Sequence, residues 1–344
     1  MKSVVQPKVQ TALIGCGRMA LGHIRAMLAQ QDTTSIRVVC EPSPAAYAAA
    51  CDLFQSHGLT PPPNEPDLEQ LLARYADELD AAFIMTPHAY HYVQTEACLQ
   101  SSLDVLLEKP MVINASEAEN LIKTRDRTGK LLVVAFPGSL SPQVRTAVQM
   151  LRANQLGKIL NITGMAWENW RTPNIGTWRQ IPEIAGGGFF FDTGAHMLNT
   201  IADLAGEDFV EIAAWLDNMD TPVDIRGAAI GRLKSGALVT FNACGDTCTR
   251  STSDVRVFCQ QGVIFTDIWG KFLNVQRPDA AQPEPVELPR SQGVWQQFLA
   301  VRQGEIPNPC PPEVGLRMAR LWDAIRASAE QDGKMVKVGR YNQP

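Results

Sequence analysis

Short apolar runs alternate with helix-type patterns through the first 135 residues, and this alternation constrains the fold more than any other feature. The runs suit strands that are buried on both faces of a parallel sheet. They are Val9–Ile14, Ile36–Cys40, Ala81–Met85, Asp104–Leu107 and Leu131–Ala135. Helix-type patterns lie between them, for example over residues 115–128. We therefore expect βαβ units and a doubly wound parallel sheet over residues 1–136.

The pattern changes after about residue 136, where strand-like runs follow one another with turns and few helices between them. These runs are 158–167, 210–216, 225–233, 237–243, 255–259 and 263–268. Lys234-Ser235-Gly236 separates two of them and predicts a hairpin. A chain of 344 residues also exceeds the usual size of one hydrophobic core. We expect a second α/β domain over residues 137–344, built on a large, mostly antiparallel, open sheet.

Composition disfavours several classes of protein. The chain is 45% hydrophobic and 19% charged, with a formal net charge of −5, which argues against disorder and against a nucleic-acid partner. No run of 18 apolar residues occurs and the N-terminus carries no apolar signal region, so we expect a cytoplasmic protein without a membrane partner. The eight cysteines show no paired CxxC spacing, so we expect reduced thiols and no metal site.

The first run leads directly into Gly15-Cys16-Gly17-Arg18-Met19-Ala20, a GxGxxA pattern that opens a helix. Gly15 permits a tight turn, and Gly17 lets a pyrophosphate approach backbone N–H groups at the positive end of the helix. Ala20 permits close packing of helix on strand. The pattern predicts a dinucleotide site.

Glu41 ends the second run, 24 residues after Gly17. At that place a carboxylate can accept hydrogen bonds from the adenosine ribose hydroxyls and would repel a 2′-phosphate. The next residues, Pro42-Ser43-Pro44, supply no arginine for such a phosphate. NAD is therefore preferred to NADP, while a solvated loop acid is the alternative interpretation of Glu41.

Two further runs end in polar groups at the edge where an open parallel sheet binds ligands. One is followed by Thr86–His91 and the other by Glu108–Pro110. Lys109, between a glutamate and a helix-breaking proline, can be held beside a nicotinamide and donate to a substrate oxygen. One of His88 and His91 can contact the cofactor, or both can be ordinary loop histidines.

The stretch GGGFFFDTGAH spans residues 186–196. If Asp192 begins a helix that continues through Ile201, the i,i+4 spacing places Asp192 and His196 on one face. The three glycines would let the chain pass close to another backbone or a ligand, and the three phenylalanines would exclude water. Alternatively, Asp192 caps a helix and His196 is a core histidine.

These motifs together resemble the Gfo/Idh/MocA family of NAD(P)-dependent sugar and polyol oxidoreductases, in order and approximate spacing. The resemblance rests on GCGRMA, Glu41, the TPxxxH stretch at 86–91, the Glu108-Lys109-Pro110 stretch and GGGFFFDTGAH. It extends to WRQIPEIAGGG and to DAIRASAEQDGKMVKV and covers nearly the whole chain. It implies a Rossmann domain followed by an α/β domain whose open sheet joins the subunits of a homodimer or homotetramer.

The resemblance also implies roles for individual positions. Lys109 would position the substrate and stabilise the reacting oxygen, Asp192 would orient it, and His196 would be the general acid/base. The implied cofactor-binding positions are Gly15, Gly17, Arg18, Met19, Glu41, Thr86, Pro87, His88, His91, Glu108, Lys109, Trp178 and Arg179. The implied substrate-binding positions are Lys109, Trp167, Asn169, Arg171, Asp192 and His196. Trp167 and Trp170 could instead be core residues.

One stretch departs from the family pattern. Many members carry an arginine or asparagine after the strand that ends at Ala135, where this chain has residues 136–142, FPGSLSP. A contact to substrate or nicotinamide is then missing there or is replaced by Ser139.

Three function classes remain open at this point. The first is a dehydrogenase or reductase for a sugar, polyol or inositol-like compound, favoured by the complete set of Lys109, Asp192 and His196. The second is a glycoside-cleaving relative that keeps NAD bound and oxidises its substrate transiently. The third is a non-catalytic NAD-sensing regulator, which the intact acid/base residues disfavour.

Overall fold

The computed structural model describes residues 7–339. Through residue 135, strands and helices alternate as the sequence predicts. The order is β1 (Val9–Ile14), α1 (Arg18–Leu28), β2 (Thr34–Cys40), α2 (Pro44–Ser56), α3 (Leu68–Tyr75), β3 (Ala81–Ile84), α4 (His91–Gln100), β4 (Asp104–Glu108), α5 (Ala115–Thr128) and β5 (Leu132–Ala135). Short 3₁₀ turns occupy Ala76–Glu78 and His88–Tyr90.

The five strands form one parallel sheet in the order β2-β1-β3-β4-β5. Every residue of β3 and β5 is buried, as expected for strands covered on both faces. The helix α1 buries Ala20, Ile24, Met27 and Leu28, which recur at helical spacing. The sheet places the residues that follow β1, β2, β3 and β4 at its carboxyl edge, where ligands bind in open parallel sheets.

The second half begins with helices and continues mainly as strands. The order is α6 (Pro137–Leu140), α7 (Pro142–Arg152), β6 (Ile159–Trp167), α8 (Pro182–Ala185), α9 (Phe189–Asp192), α10 (Gly194–Ala205), β7 (Phe209–Asp217), β8 (Arg226–Leu233), β9 (Leu238–Cys244), β10 (Thr252–Cys259), β11 (Gly262–Thr266), β12 (Leu273–Gln276), β13 (Glu284–Pro285), α11 (Val294–Arg302), α12 (Pro312–Ala329) and β14 (Val336–Lys337). Further 3₁₀ turns lie at Thr172–Asn174 and Trp178–Gln180.

The later strands form a nine-stranded sheet in the order β13-β12-β11-β10-β6-β9-β8-β7-β14. All neighbours in it are antiparallel except β6 and β9. The hairpin at Lys234-Ser235-Gly236 joins β8 to β9. The predicted fold class, a doubly wound parallel sheet followed by an α/β domain with a large, mostly antiparallel sheet, is confirmed.

The described chain forms two compact units. The first contains residues through Met111, Glu119–Ala135 and Gly293–Asn308, and the second contains Val112–Ala118, Phe136–Gln292 and the residues from Pro309 onward. The late helix α11 belongs to the first unit because Trp295 stacks on Phe83 at 6.2 Å and donates to Thr34 Oγ1. We propose a domain division after residue 136, with the helix α11 returning to the first unit.

No helix within residues 7–339 is both long enough and apolar enough to cross a membrane. The first six residues, on which part of the expectation about a signal region rests, lie outside the described residues.

One face of the nine-stranded sheet carries exposed apolar side chains, which we call the open sheet face. They are Met165, Trp215, Ile230, Leu238 and Phe258, each between 37% and 53% exposed. Charged pairs lie on the neighbouring positions, namely Arg256 with Asp254 and Arg232 with Glu211. Apolar groups beside polar ones are typical of a surface that takes part in an interface.

The glycines of residues 186–188 serve close packing within the second unit. A Cβ on Gly188 would lie 1.8 Å from the backbone oxygen of Asp224, and one on Gly187 would lie 2.5 Å from the Trp322 ring. The buried carboxylate of Asp224 accepts hydrogen bonds from the amides of Gly188 and Phe190, at 2.6 and 2.8 Å. Of the two options left by the sequence, the structure thus shows the close approach to another backbone.

The phenylalanines that follow are fully buried core residues. Phe190 and Phe191 stack on Trp322 at 6.4 and 4.9 Å, and Phe189 lies edge-on to Trp170 at 6.2 Å. This packing fixes the segment that leads to Asp192 and His196.

A Gly188→Ala variant tests this packing. Because the new methyl group would overlap the Asp224 backbone, we expect the free energy of unfolding of the second unit to fall by about 3 kcal/mol or more. Urea unfolding followed by tryptophan fluorescence measures it.

Gly22→Ala is the matched control, since a Cβ there in α1 would meet nothing within 4 Å. It should stabilise the protein by about 0.5–1 kcal/mol through helix propensity. Equal stability of wild type and Gly188→Ala would contradict the assignment.

Candidate active site

The glycine loop after β1 has the geometry of an anion site. Gly15 is buried with φ +91°, and a Cβ on it would lie 3.0 Å from the Met85 backbone. Gly17 is exposed and precedes α1 without a side-chain cap, and a Cβ there would meet nothing within 4 Å. Arg18 and Met19 are exposed on the first turn of α1. Backbone N–H groups and open space therefore meet at the positive end of a helix.

Glu41 is bound to this loop rather than solvated. It is 8% exposed, and its two carboxylate oxygens accept from the amides of Cys16 at 2.6 Å and Ser43 at 2.8 Å. A carboxylate oxygen has more than one acceptor site, so these bonds leave capacity for a ribose hydroxyl. Gly17 and Glu41 together fit a dinucleotide, with its phosphates at α1 and its ribose at Glu41.

His91 is a structural histidine by its contacts. It is fully buried, with Nδ1 2.8 Å from the Pro110 carbonyl oxygen and Nε2 2.9 Å from the Thr86 carbonyl oxygen. Burial lowers the pKa of His91, although the two carbonyls and the charge of Glu108 act in the opposite direction. The ring lies between the segment after β3 and the segment after β4, and in its neutral form it donates a hydrogen bond to one of the two carbonyls and is in contact with the other.

The neighbouring positions in that segment differ in accessibility. His88 is 4% exposed and its ring centroid lies 5.8 Å from that of His91, whereas Thr86 and Pro87 are half-buried. A cofactor contact by Thr86, Pro87 or His88 remains a proposal.

Glu108 fixes the backbone that carries Lys109. One carboxylate oxygen lies 2.7 Å from His23 Nε2, and the other accepts from the Lys109 amide at 3.1 Å. Burial alone would raise the pKa of Glu108, but the hydrogen bond and charge of His23 and the charge of Lys109 lower it. The backbone is thus held before Lys109 by Glu108 and after it by the Pro110 contact with His91, while the Lys109 side chain stays partly exposed.

In the second unit Asp192 is the centre of a buried polar group. Its Oδ2 accepts from Trp170 Nε1 at 2.9 Å and from Arg179 Nε at 3.0 Å. The Arg179 guanidinium also lies 4.5 Å from the Trp178 ring centroid. Trp170 is 3% exposed, so it is a core residue that also orients Asp192.

The expected helix start at Asp192 is wrong. Asp192 ends α9, and Thr193 separates it from α10, which begins at Gly194. Asp224 binds the amides of Gly188 and Phe190, so the helical segment already starts at Phe189. Asp192 therefore caps neither segment.

His196 lies on the first turn of α10 between two aromatic rings. Its ring is edge-on to Phe136 at 5.8 Å and tilted by 53° to Trp269 at 6.2 Å. It is half-buried, in contrast to the fully buried neighbours on either side of it. The two aromatic rings restrict the orientation of the imidazole, whose Nδ1 atom is buried while the residue as a whole stays partly exposed.

The three candidate substrate contacts lie at the end of β6. Trp167 is half-buried and ends the strand, and Asn169 forms an isolated bridge with Asp246. Arg171 makes an ion pair with Asp246 at 3.2 Å. Asp246 thus brings Asn169 and Arg171 together.

Ser139 does not replace the arginine or asparagine contact that this chain lacks. It is fully buried, donates to Asp203 Oδ2 at 2.9 Å and accepts from Asn199 at 2.8 Å. Both hydrogen bonds of the Ser139 hydroxyl are made to residues of the second unit. Phe136 is the residue of this stretch whose ring contacts His196.

Sequence reasoning missed three residues that shape this region, namely Asp224, Asp267 and Trp269. Asp224 and Asp267 lie far along the chain from Gly188 and His196, and a single acid beside or within a predicted strand carries no local pattern. Trp269 directly follows the predicted strand 263–268, and this position at a strand end could have indicated a residue near the site.

The charge of His91 can be tested through stability. A histidine that is neutral when folded takes up a proton on unfolding, so stability falls as the pH falls below the unfolded pKa of about 6.5, by up to about 1.4 kcal/mol per pH unit. His91→Gln keeps an N–H donor group, the side-chain amide, and cannot titrate, so it should be less stable than wild type by about 1–3 kcal/mol at pH 7.5.

The difference in free energy of unfolding between wild type and His91→Gln should become smaller as the pH falls from 7.5 to 5. Urea unfolding at each pH measures it. The exposed His57 provides the control His57→Gln, which should stay close to wild type. A difference that widens on acidification would show that His91 is charged in the folded protein.

Comparison with known proteins agrees with the fold and the motifs. The profile of the oxidoreductase family with an NAD-binding Rossmann fold matches residues 9–136, and that of the GFO/IDH/MocA C-terminal domain matches residues 144–265. Oxidoreductase P35 of Formosa agariphila is 23% identical over 337 residues, covering 93% of this chain and 99% of that protein. The NADP(+) D-xylose 1-dehydrogenase of Haloarcula marismortui is 32% identical over 141 residues, covering 40% and 39%.

Among solved structures, the WlbA dehydrogenase of Bordetella pertussis, in complex with NADH and UDP-GlcNAcA, has the same fold. The TM-score is 0.81 at 20% identity, covering 97% of this chain and 100% of that one. The glycine loop, the two-sheet fold and both profile matches agree, and the chain belongs to the Gfo/Idh/MocA family of NAD(P)-dependent oxidoreductases.

Proposed function

We propose that this protein transfers hydride between a nicotinamide cofactor and a hydroxyl-bearing or carbonyl carbon of a sugar, polyol or inositol derivative. Its reactive group consists of Lys109, Asp192 and His196. The observation that carries the proposal is the fixed backbone at Lys109, at the same sheet edge as the dinucleotide-type loop. The names of relatives, such as D-xylose dehydrogenase and scyllo-inositol 2-dehydrogenase, support the substrate class.

In this proposal the chain supplies a proton carrier, His196, and a hydrogen-bond donor to the reacting oxygen, Lys109. In the oxidative direction the His196 imidazole takes the hydroxyl proton of the substrate, and in the reductive direction it returns one to the carbonyl oxygen. The Lys109 ammonium donates a hydrogen bond to that oxygen and stabilises negative charge on it. The nicotinamide, when bound, supplies the hydride acceptor or donor.

Asp192 acts with its partners rather than as a free base. Because Arg179 and Trp170 both bind Oδ2, the carboxylate is held in one orientation and its charge is balanced. It can then accept a hydrogen bond from a substrate hydroxyl and orient the ring. Trp167, Asn169 and Arg171 would contact more distant parts of the substrate.

NAD is the proposed cofactor, with NADP the weaker alternative. The buried carboxylate of Glu41 places negative charge where an NADP 2′-phosphate would lie. Residues 42–44 offer no cation to offset it. The Gly17 backbone, Arg18 and Met19 would contact the pyrophosphate, and Thr86, Pro87 and His88 the nicotinamide ribose.

We further propose a homodimer or homotetramer joined through the open sheet face. Its exposed apolar side chains and flanking charged pairs suit a self-complementary contact. Light scattering should then give a mass that is a multiple of 37.7 kDa, and Leu238→Asp together with Phe258→Asp should lower it.

Activity of two variants tests the reactive group. A screen of sugars, polyols and sugar acids with NAD and NADP, followed by nicotinamide absorbance, identifies a substrate. His196→Ala should then lower kcat/KM about 100-fold or more, because the proton carrier is lost, while the Kd for NADH changes less than about threefold. Lys109→Ala should also lower kcat/KM about 100-fold or more.

Lys123→Ala, on the exposed side of α5, is the control and should match wild type. Full activity of either variant would contradict the assignment. Release of an aglycone from glycosides without net cofactor reduction would instead indicate a glycoside-cleaving enzyme.

Cofactor choice is tested at Glu41. Glu41→Ala should weaken NADH binding about tenfold, since the ribose loses a charged acceptor and the loop loses its support at Cys16. NADPH binding should weaken less or improve, because the repulsion is removed. Fluorescence titration measures both, with the exposed Glu69→Ala as control, and unchanged NADH affinity would show that Glu41 is not the ribose ligand.

A further inference from the structure

The loop over residues 267–271, which we call the Trp269 loop, is fixed by a buried carboxylate. Asp267 is 4% exposed, and its Oδ1 accepts from the amides of Trp269 at 3.2 Å and Lys271 at 2.8 Å. Trp269 and Lys271, which are separated by Gly270, thus extend from a backbone that is held from within the loop.

The same loop is also held from outside. The Ile268 amide donates to Ser253 Oγ at 3.2 Å, and Thr200 Oγ1 donates to the Ile268 carbonyl at 3.1 Å. A Cβ on Gly138 would lie 2.6 Å from that carbonyl oxygen, so the stretch after β5 packs directly against the loop. A segment anchored on α10 and on the stretch that carries Phe136 has a fixed position relative to His196.

Trp269 lies beside the proposed proton carrier. Its ring centroid is 6.2 Å from that of His196, and the side chain is half-buried rather than enclosed in the core. An indole with an accessible surface packs against the C–H groups of a sugar ring and excludes water from them. Its place next to His196 suits a platform for the ring whose hydroxyl group reacts.

Lys271 adds positive charge at the same place. Its Nζ lies 4.4 Å from the Trp269 ring centroid, which holds the ammonium beside the indole. The two arginines of this unit's candidate site are already paired, Arg171 with Asp246 and Arg179 with Asp192. Lys271 makes no ion pair within 4 Å with a carboxylate of residues 7–339, since Asp267 Oδ1 accepts from backbone amides. Burial raises the pKa of Asp267, and the charge of Lys271 acts in the opposite direction.

We propose that Trp269 is a substrate platform and that Lys271 selects a substrate carrying an anionic group, as in a sugar acid or a sugar phosphate. This inference rests on the proposed function, which it narrows from sugars in general to negatively charged ones. A carboxylate or phosphate near Lys271 would gain a charge-assisted hydrogen bond that a neutral sugar does not make.

Matched pairs of ligands test the proposal. Affinities of D-glucose, D-glucuronate and D-glucose 6-phosphate, and of D-galactose and D-galacturonate, are measured by saturation-transfer NMR with NAD present. At least one anionic ligand should bind the wild type about tenfold more tightly than its neutral counterpart. The glucuronate and glucose 6-phosphate arms distinguish a carboxylate from a phosphate.

Lys271→Met should remove that preference and leave the affinity for the neutral sugar unchanged. Lys234→Met, in the exposed hairpin between β8 and β9, should keep the preference and serves as the control. Trp269→Ala should weaken the neutral and the anionic ligand alike, by about tenfold, and Trp269→Phe should restore most of the affinity.

The outcomes separate this inference from the proposed function. A preference for anionic ligands that Lys271→Met abolishes supports the inference even if no compound is oxidised. Oxidation of sugars without any anionic preference, or with a preference that Lys271→Met retains, overturns the role of Lys271. Unchanged affinity in Trp269→Ala overturns the platform.

Discussion

A buried backbone N–H or C=O group must find a hydrogen-bond partner, and in this protein ionisable side chains supply the partners at the functional loops. Glu41 binds the glycine loop, Glu108 binds the amide of Lys109, and His91 lies between two loop carbonyls. In the second unit, Asp224 and Asp267 do the same for α9 and the Trp269 loop. The positions of the candidate residues depend on these contacts.

The supporting side chains differ from the proposed reactive ones in exposure. Buried or largely buried groups hold the backbone, whereas Lys109 and His196 extend from it and stay partly exposed. Under the proposed function, a fixed backbone geometry would reduce the reorganisation that the reaction requires, and the supporting groups would contribute without contacting substrate. It also explains why ionisable side chains such as Asp224 are buried, since each accepts hydrogen bonds that would otherwise be absent.

The sequence predicted local structure better than long-range contacts. The bounds of β1 and α5 match the apolar and helical patterns, because period and capping are properties of neighbouring residues. The strands β13 and β14 were missed because two residues are too few for a pattern, whereas β12 was missed although it has four residues, as many as β3 and β5. The helix expected to begin at Asp192 was displaced by Asp224, a contact between residues more than 30 positions apart.

The central proposal is that Lys109 and His196 act on the same reacting oxygen, and a double-mutant cycle on kcat/KM tests it most directly. If both residues serve one proton-transfer step, the Lys109→Ala, His196→Ala double variant should lose little more activity than the more damaging single variant. Losses that multiply would show that the two residues act independently, and would contradict this account.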